Sequence, residues 1–219
     1  KLNGWNSDTL VPYYGTRQQE IDPRRFLTSG LKGDINANIF FVQQHCEWSE
    51  YTEFLIKVTK TKIIFQNRNI FDVMLSLRDH YLLAIKGNPE SSIVPKTITN
   101  KSSDEIMDYL IDTKCGWYCE FLYRWMKSSL FRSNDFVQVR YENLKKNTKK
   151  TIHKINAVLS LGFTSDQIDK AISLANKTNT RKNIGENNRS IKMLNDNQKD
   201  KILKISSYYK LPDDCIFFG

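Results

Sequence analysis

In the stretch IIFQNRNIFDVMLSL (63–77), Arg68 is followed four residues later by Asp72 and eight residues later by Ser76. The arginine falls where an apolar run gives way to a helical pattern, and that position favours an anion. The first turn of a helix presents unpaired backbone N–H groups and the positive end of its dipole, and a guanidinium adds a full charge. Ser76 lies about two turns into the same helix and offers a hydroxyl if the strand end curls over it. Asp72, in the first turn, has a plainer role as a dipole-complementing or Arg-pairing residue. Taken alone, an arginine at such a junction is a structural ion pair about as often as a ligand contact. Phosphate and an internal carboxylate therefore both stand as its partner.

A second group with chemical potential is His45, at the end of the apolar run NIFFVQ (38–43) and 23 residues before Arg68. An imidazole titrates near neutrality, which suits it to take a proton from a hydroxyl or amine, although a histidine after an apolar run also serves as a structural hydrogen-bonding group. His80 and His153 lie on helical segments among polar residues and receive no catalytic role. The four cysteines, Cys46, Cys115, Cys119 and Cys215, are too few and too scattered for a disulfide framework and read as reduced thiols. Cys115 and Cys119 share a helical face, but no second pair and no neighbouring histidine completes a zinc site, so no metal is expected.

The elements that must position these residues alternate. NIFFVQ reads as a strand, followed by a helix behind Ser49 with Tyr51, Phe54, Leu55 and Val58 at helical spacing. TKIIFQ (61–66) reads as the next strand, and Ile70, Val73, Met74, Leu77 and Tyr81 then mark one face of a helix beginning near Asn69. DFVQVRYENL (135–144) supplies a third strand, leading into a helix marked by Leu144, Ile152, Ile155 and Leu159. Thr164 and Gln167 fit a capping box before another helix, and Asn195 with Gln198 opens the last. Strand–helix alternation favours parallel strands joined by right-handed crossovers, with ligands at the carboxyl ends of the strands. Residues 87–102, which carry Pro89 and Pro95, read as an excursion suited to a lid or substrate loop, and 176–190 as a mobile basic loop. The aromatic helical face of Trp117, Phe121 and Trp125 reads as core.

At 219 residues, 40% hydrophobic and 12% aromatic, the chain is long enough for a sizeable core, and one domain over 1–219 is expected. A formal charge of +9 and a pI near 9.3 favour anionic partners, and charge alone leaves open a basic nucleotide- or nucleic-acid-binding domain without catalysis. No apolar stretch is long enough to span a membrane and no secretory signal opens the chain, so a soluble, cytoplasmic protein is expected.

The stretch RNIFDVMLS resembles the 3′-phosphate-binding signature of the sulfotransferases that use 3′-phosphoadenosine 5′-phosphosulfate (PAPS), Arg-Asn-Pro-x-Asp-x-x-x-Ser, with Ile70 in place of proline. The resemblance extends in order along the chain. IFFVQQH is similar to the strand that ends in the family's catalytic histidine. VQVRYENLKKNTKKTIHKINAVLSLGF is similar to its strand followed by Tyr-Glu-x-Leu and a helix. RKNIG (181–185) is similar to its late Arg-Lys-Gly-x-x-Gly loop, with Asn183 at the first glycine and Gly185 one residue early.

The resemblance implies a P-loop-like three-layer α/β/α fold with a central parallel sheet, and transfer of a sulfuryl group from PAPS to a hydroxyl or amine acceptor. It implies His45 as the base, Arg68 and Ser76 on the 3′-phosphate, Tyr141 against the adenine, and Arg181, Lys182 and the backbone around Asn183 closing over the phosphate. Adenosine 3′,5′-bisphosphate would be the product, no metal is needed and no nucleic-acid partner is expected. The acceptor class stays open. The family's 5′-phosphosulfate loop would fall before residue 1, so the chain reads as N-terminally incomplete. Gln43 stands where the family often carries a catalytic lysine. A degenerate member that binds the bisphosphate without turnover is the alternative.

Overall fold

The computed structural model describes residues 46–87, 94–177 and 189–211. Among them, helix α1 spans Glu50–Thr59, strand β1 Ile63–Asn67, helix α2 Ile70–Ile85, α3 Ser103–Leu110, α4 Gly116–Lys127, strand β2 Phe136–Arg140, α5 Tyr141–Lys146, α6 Thr148–Val158, α7 Ser165–Lys177, α8 Ser190–Met193 and α9 Asp196–Tyr208. A π turn, Ile111–Cys115, joins α3 to α4. The chain divides into two compact units, one of Lys1–Lys62 with Arg124–Asp135 and one of Ile63–Tyr123 with Phe136–Gly219.

In the second unit β1 and β2 pair in parallel, from Ile63 opposite Phe136 to Asn67 opposite Arg140. Parallel strands cannot be joined by a tight turn, and the intervening chain accordingly runs through α2, α3 and α4. The expected strands at 61–66 and within 135–144 are thus present and parallel, whereas the one expected at 38–43 lies outside the described residues. Phe65 points inward from β1 and stacks on both Phe136 and Phe121, with ring centroids 5.5 and 5.9 Å apart. Phe121 belongs to the aromatic face assigned to the core, and its ring is part of that packing.

Helix α2 buries Ile70, Met74, Leu75 and Tyr81 beside three charged residues, Asp72, Arg78 and Asp79. Ile106, Met107, Leu110 and Ile111 are fully buried against it from α3 and the turn that follows. Cys115 and Cys119 complete this layer as free, fully buried thiols. The hydrogen bond with Cys119 and burial hold Cys115 far above the ordinary thiol range, so packing is its role. Within 87–102, the one buried anchor among the described residues is Ile98 in a short 3-10 turn.

Three helices start with reciprocal capping boxes: Ser102 with Glu105, Thr164 with Gln167, and Asn195 with Gln198. The single helix expected through Leu144, Ile152, Ile155 and Leu159 is instead two, broken at Asn147, whose φ of −137° and ψ of 55° are not helical. Thr148 Oγ1 and Thr151 Oγ1 donate to the carbonyl oxygens of Leu144 and Asn143, closing α5 as α6 begins. At the far end of α6, Asn156 holds both the N–H and the carbonyl of Phe163 and so fixes the turn through Gly162.

The first unit is organised by Glu53. Ser49 caps α1, accepting the Thr52 N–H at 3.0 Å, and Lys60 ends it in the left-handed region at φ 52°. Of the apolar stripe Tyr51, Phe54, Leu55 and Val58, Leu55 is half-buried and the other three are exposed, and Thr52 and Ile56 are the buried residues of the helix. The reason is polar. Glu53 accepts from Trp48 Nε1 and Ser128 Oγ, each at 2.7 Å, and from Ser129 Oγ, and pairs with Lys57 at 2.7 Å. This carboxylate draws its own side of the helix onto the 124–135 segment, where Trp125 Nε1 also donates to the Cys46 carbonyl.

Burial alone would push the Glu53 carboxyl up, but donation from Lys57, Ser129, Ser128 and Trp48 outweighs it and brings the pKa to about 2. A depressed folded-state pKa stabilises fully above the unfolded value of 4.5 and is lost as pH falls toward 2. Acid titration followed by tryptophan fluorescence should therefore show this unit losing about 2–3 kcal/mol across that window. Glu53→Gln should be less stable at neutral pH and should flatten that dependence; an unchanged acid profile would remove Glu53 as its cause.

Candidate functional site

The β1–β2 ladder ends at Asn67 and Arg140, and both chains then enter helices, α2 and α5. The next residue on each strand is a candidate: Arg68 on one, Tyr141 on the other. The Arg68 guanidinium carbon lies 4.6 Å from the centroid of the Tyr141 ring, within the range of a cation–π contact. Two residues 73 positions apart in sequence are thus brought together at the carboxyl end of the parallel pair.

The start of α2 is heavily organised. Asn69 caps the helix, its side chain accepting the Phe71 N–H at 2.9 Å. The Asn69 N–H itself donates to Glu142 Oε1 at 3.2 Å, and the other Glu142 oxygen lies 3.9 Å from Arg140 Nε. Arg68 Nη2 lies 3.9 Å from Asp72 Oδ2. Of the two partners envisaged for Arg68, the internal carboxylate is the one this contact supplies. Ser76, half-buried, is one turn beyond Asp72 on the same helical face.

Asp72, 1% exposed, has a further partner: its Oδ1 accepts the Ser190 N–H at 3.0 Å. Two turns along α2, Asp79 pairs with Arg189 at 2.8 Å and with Arg78 at 3.2 Å. The chain at 189–190 is fastened to α2 by two carboxylates. His45 and the candidate loop residues Arg181, Lys182 and Asn183 lie outside the described residues.

Sequence reasoning gave Glu142, Asp79, Arg189 and Ser190 no role. Glu142 was in view as the second residue of Tyr-Glu-x-Leu. For the contact of Asp79 with Arg189 no local signal exists, because the two lie 110 residues apart. Elsewhere, a shallow opening of about 490 Å³ on α5 and α6 is lined by Lys146, Asn147, Thr148, Lys149, Lys150 and His153. It contains none of the candidate residues, and its Lys149 pairs with Asp169 at 2.8 Å on a solvated face. Among the described residues no cluster of His, Cys, Asp or Glu is arranged to hold a metal, and no helix is long and apolar enough to cross a membrane.

Arg68 and the Tyr141 ring thus lie side by side past the parallel strand pair, with Ser76 on the Asp72 face of α2. The family model described as the sulfotransferase domain matches residues 35–207, and the chain belongs to that family. Its α/β fold agrees with that of a mouse sulfotransferase, SULT7A1, solved in complex with PAP: TM-score 0.60 at 14% identity, covering 95% of this chain and 79% of the mouse one. No curated protein matches the sequence.

The contacts of Asp79 carry a stability consequence. Removing one member of a buried ion network leaves the others uncompensated, at a cost of about 3–5 kcal/mol. Asp79→Ala strands Arg78, whose side chain is 6% exposed, and Arg189, at 16%. Urea unfolding should show a loss of that order, and a change below about 1 kcal/mol would mean that the network is dispensable.

Proposed function

We propose that this sulfotransferase-family protein uses PAPS, transferring its sulfuryl group to a hydroxyl or amine acceptor and releasing adenosine 3′,5′-bisphosphate. The observation that carries the donor assignment is the placement of Arg68 4.6 Å over Tyr141 at the carboxyl end of the β1–β2 pair. A phosphate on Arg68 and an adenine against Tyr141 are near enough to belong to one nucleotide. Ser76, on the Asp72 face of α2, would add a hydroxyl to the same phosphate, and Arg181, Lys182 and the backbone at Asn183 would add charge and donors.

The reaction is an in-line displacement at sulfur. An acceptor oxygen or nitrogen forms the new bond to sulfur as the bond from sulfur to the 5′-phosphate oxygen breaks, and the electron pair leaves with the bisphosphate. His45 takes the acceptor proton, a role within reach of an imidazole near neutrality. Arg68 is not asked to stabilise the breaking bond, because it is assigned to the 3′-phosphate. Its contribution is binding and orientation. Gln43, where the family often has lysine, cannot supply a charge to the leaving oxygen, and this favours the non-catalytic bisphosphate binder as the second reading.

Calorimetric titration separates donor recognition from generic anion binding. The chain should bind adenosine 3′,5′-bisphosphate more tightly than adenosine 5′-phosphate, and Arg68→Ala should weaken bisphosphate binding by about 10- to 100-fold while changing the monophosphate little. Equal affinity for the two nucleotides would sink the assignment of Arg68 and Ser76.

Transfer from labelled PAPS to a panel of hydroxyl and amine acceptors tests the chemistry. His45→Ala should lower transfer by about 10²- to 10⁴-fold with bisphosphate affinity unchanged. Retained turnover would remove His45 as the base. Bisphosphate binding without transfer in the unaltered chain would select the second reading.

A further inference from the structure

Three successive residues of the β1–α2 junction lie beside three of the β2–α5 junction, and each pair is held differently. Asn67 and Arg140 are joined by the sheet ladder. One step on, Arg68 lies over the Tyr141 ring. A further step on, Glu142 Oε1 accepts the Asn69 N–H at 3.2 Å. Beyond the ladder both chains turn into helices, and regular sheet bonding no longer sets their separation. A guanidinium over a ring is attracted with little directional preference, whereas a carboxylate accepting a backbone N–H is both charge-assisted and directional. Glu142 is itself constrained: its side chain is 18% exposed and Oε2 lies 3.9 Å from Arg140 Nε.

We infer that Glu142 is a positioning residue for the nucleotide: by holding the Asn69 backbone it fixes the spacing between Arg68 and Tyr141, the charge and the ring that take opposite parts of one ligand. The inference rests on the donor reading above. It assigns Glu142 no contact with the nucleotide. Its effect passes through the backbone next to Arg68, so its loss should be felt most in the contact that Arg68 makes. That contact is with the 3′-phosphate, which only the bisphosphate carries. Length matters as well as charge: glutamine keeps an acceptor at the same reach, while aspartate keeps the charge but falls one methylene short.

The test titrates the full chain and its Glu142→Ala, Glu142→Gln and Glu142→Asp variants with adenosine 3′,5′-bisphosphate and adenosine 5′-phosphate, with thermal unfolding in parallel. The unaltered chain should prefer the bisphosphate, Glu142→Ala should erode that preference by about tenfold, and Glu142→Gln should retain most of it. A merely structural glutamate would lower the Tm without changing the ratio of the two affinities. If the alanine variant does not fold, the order of the other two decides: Gln retaining the preference and Asp losing it supports positioning, and any other order overturns it. A preference in the unaltered chain that survives Glu142→Ala overturns this inference alone. No preference in the unaltered chain overturns the donor reading, and this inference with it.

Discussion

The backbone ladder between β1 and β2 stops at Asn67 and Arg140, and the residue after each is a candidate ligand. Because the strands are parallel, both carboxyl ends reach the same edge, so two stretches of chain separated by some seventy residues deliver side chains to one place. Register is the constraint on which that depends. A slip of one residue would reverse the facing of a whole strand, taking Phe65 out of its stack with Phe136 and Phe121 and moving Arg68 away from Tyr141. The aromatic stack inside and the cation–π pair at the edge are thus two consequences of one alignment, and the apolar contact protects the polar one.

The charge balance of that edge is close to even. Arg68 and Arg140 face Asp72 and Glu142, at 3.9 Å in each case. Two carboxylates beside a proposed phosphate site oppose the anion that a chain of net charge +9 is suited to attract. Each, however, is also committed to a backbone N–H: Asp72 to Ser190 and Glu142 to Asn69. They act as organisers of the two segments that border the site, and the arginines are held in place by the same groups. Under the donor reading, a phosphate would meet two guanidinium groups that already face carboxylates at 3.9 Å, which lowers the reorganisation its binding would cost. It also follows that Arg68 alone is a weak attractor for a dianion. The positive charge of Arg181 and Lys182 is what the donor reading needs to complete it.

Much of this was legible locally. Helix starts announced themselves through capping pairs such as Thr164 with Gln167, and the β-branched and aromatic runs marked β1 and β2. Arg68 and Tyr141 could be singled out because the motifs that carry them are contiguous. What failed, failed where a polar contact, distant or local, overrode an apolar pattern. The stripe of Tyr51, Phe54, Leu55 and Val58 was a sound helical pattern, but only Leu55 is even half-buried, while Glu53 collects donors from residues some seventy-five positions on. The break at Asn147 was missed because it is made by two threonine hydroxyls bonding backward, a choice that apolar spacing does not record.

Helix α2 ties these levels together, and its composition is unusual for a helix so deeply packed. Ile70, Met74 and Leu75 are essentially fully buried, yet Asp72, Arg78 and Asp79 are buried among them. Replacing such charges with apolar side chains of similar size is often neutral or stabilising, so packing alone does not require them. What an apolar residue cannot do is hold a particular backbone N–H or a particular guanidinium. Asp72 selects Ser190 and Asp79 selects Arg189, which fixes one alignment of the late chain on α2, directly beside the turn that carries Arg68. The buried acids of α2 are therefore better understood as devices that position a distant segment than as substitutes for apolar packing. Under the donor reading, each segment of the site carries a contiguous motif, and the turn at Arg68 carries two of the proposed contacts, Arg68 and Ser76. An acceptor pocket assembled from loops has no such motif.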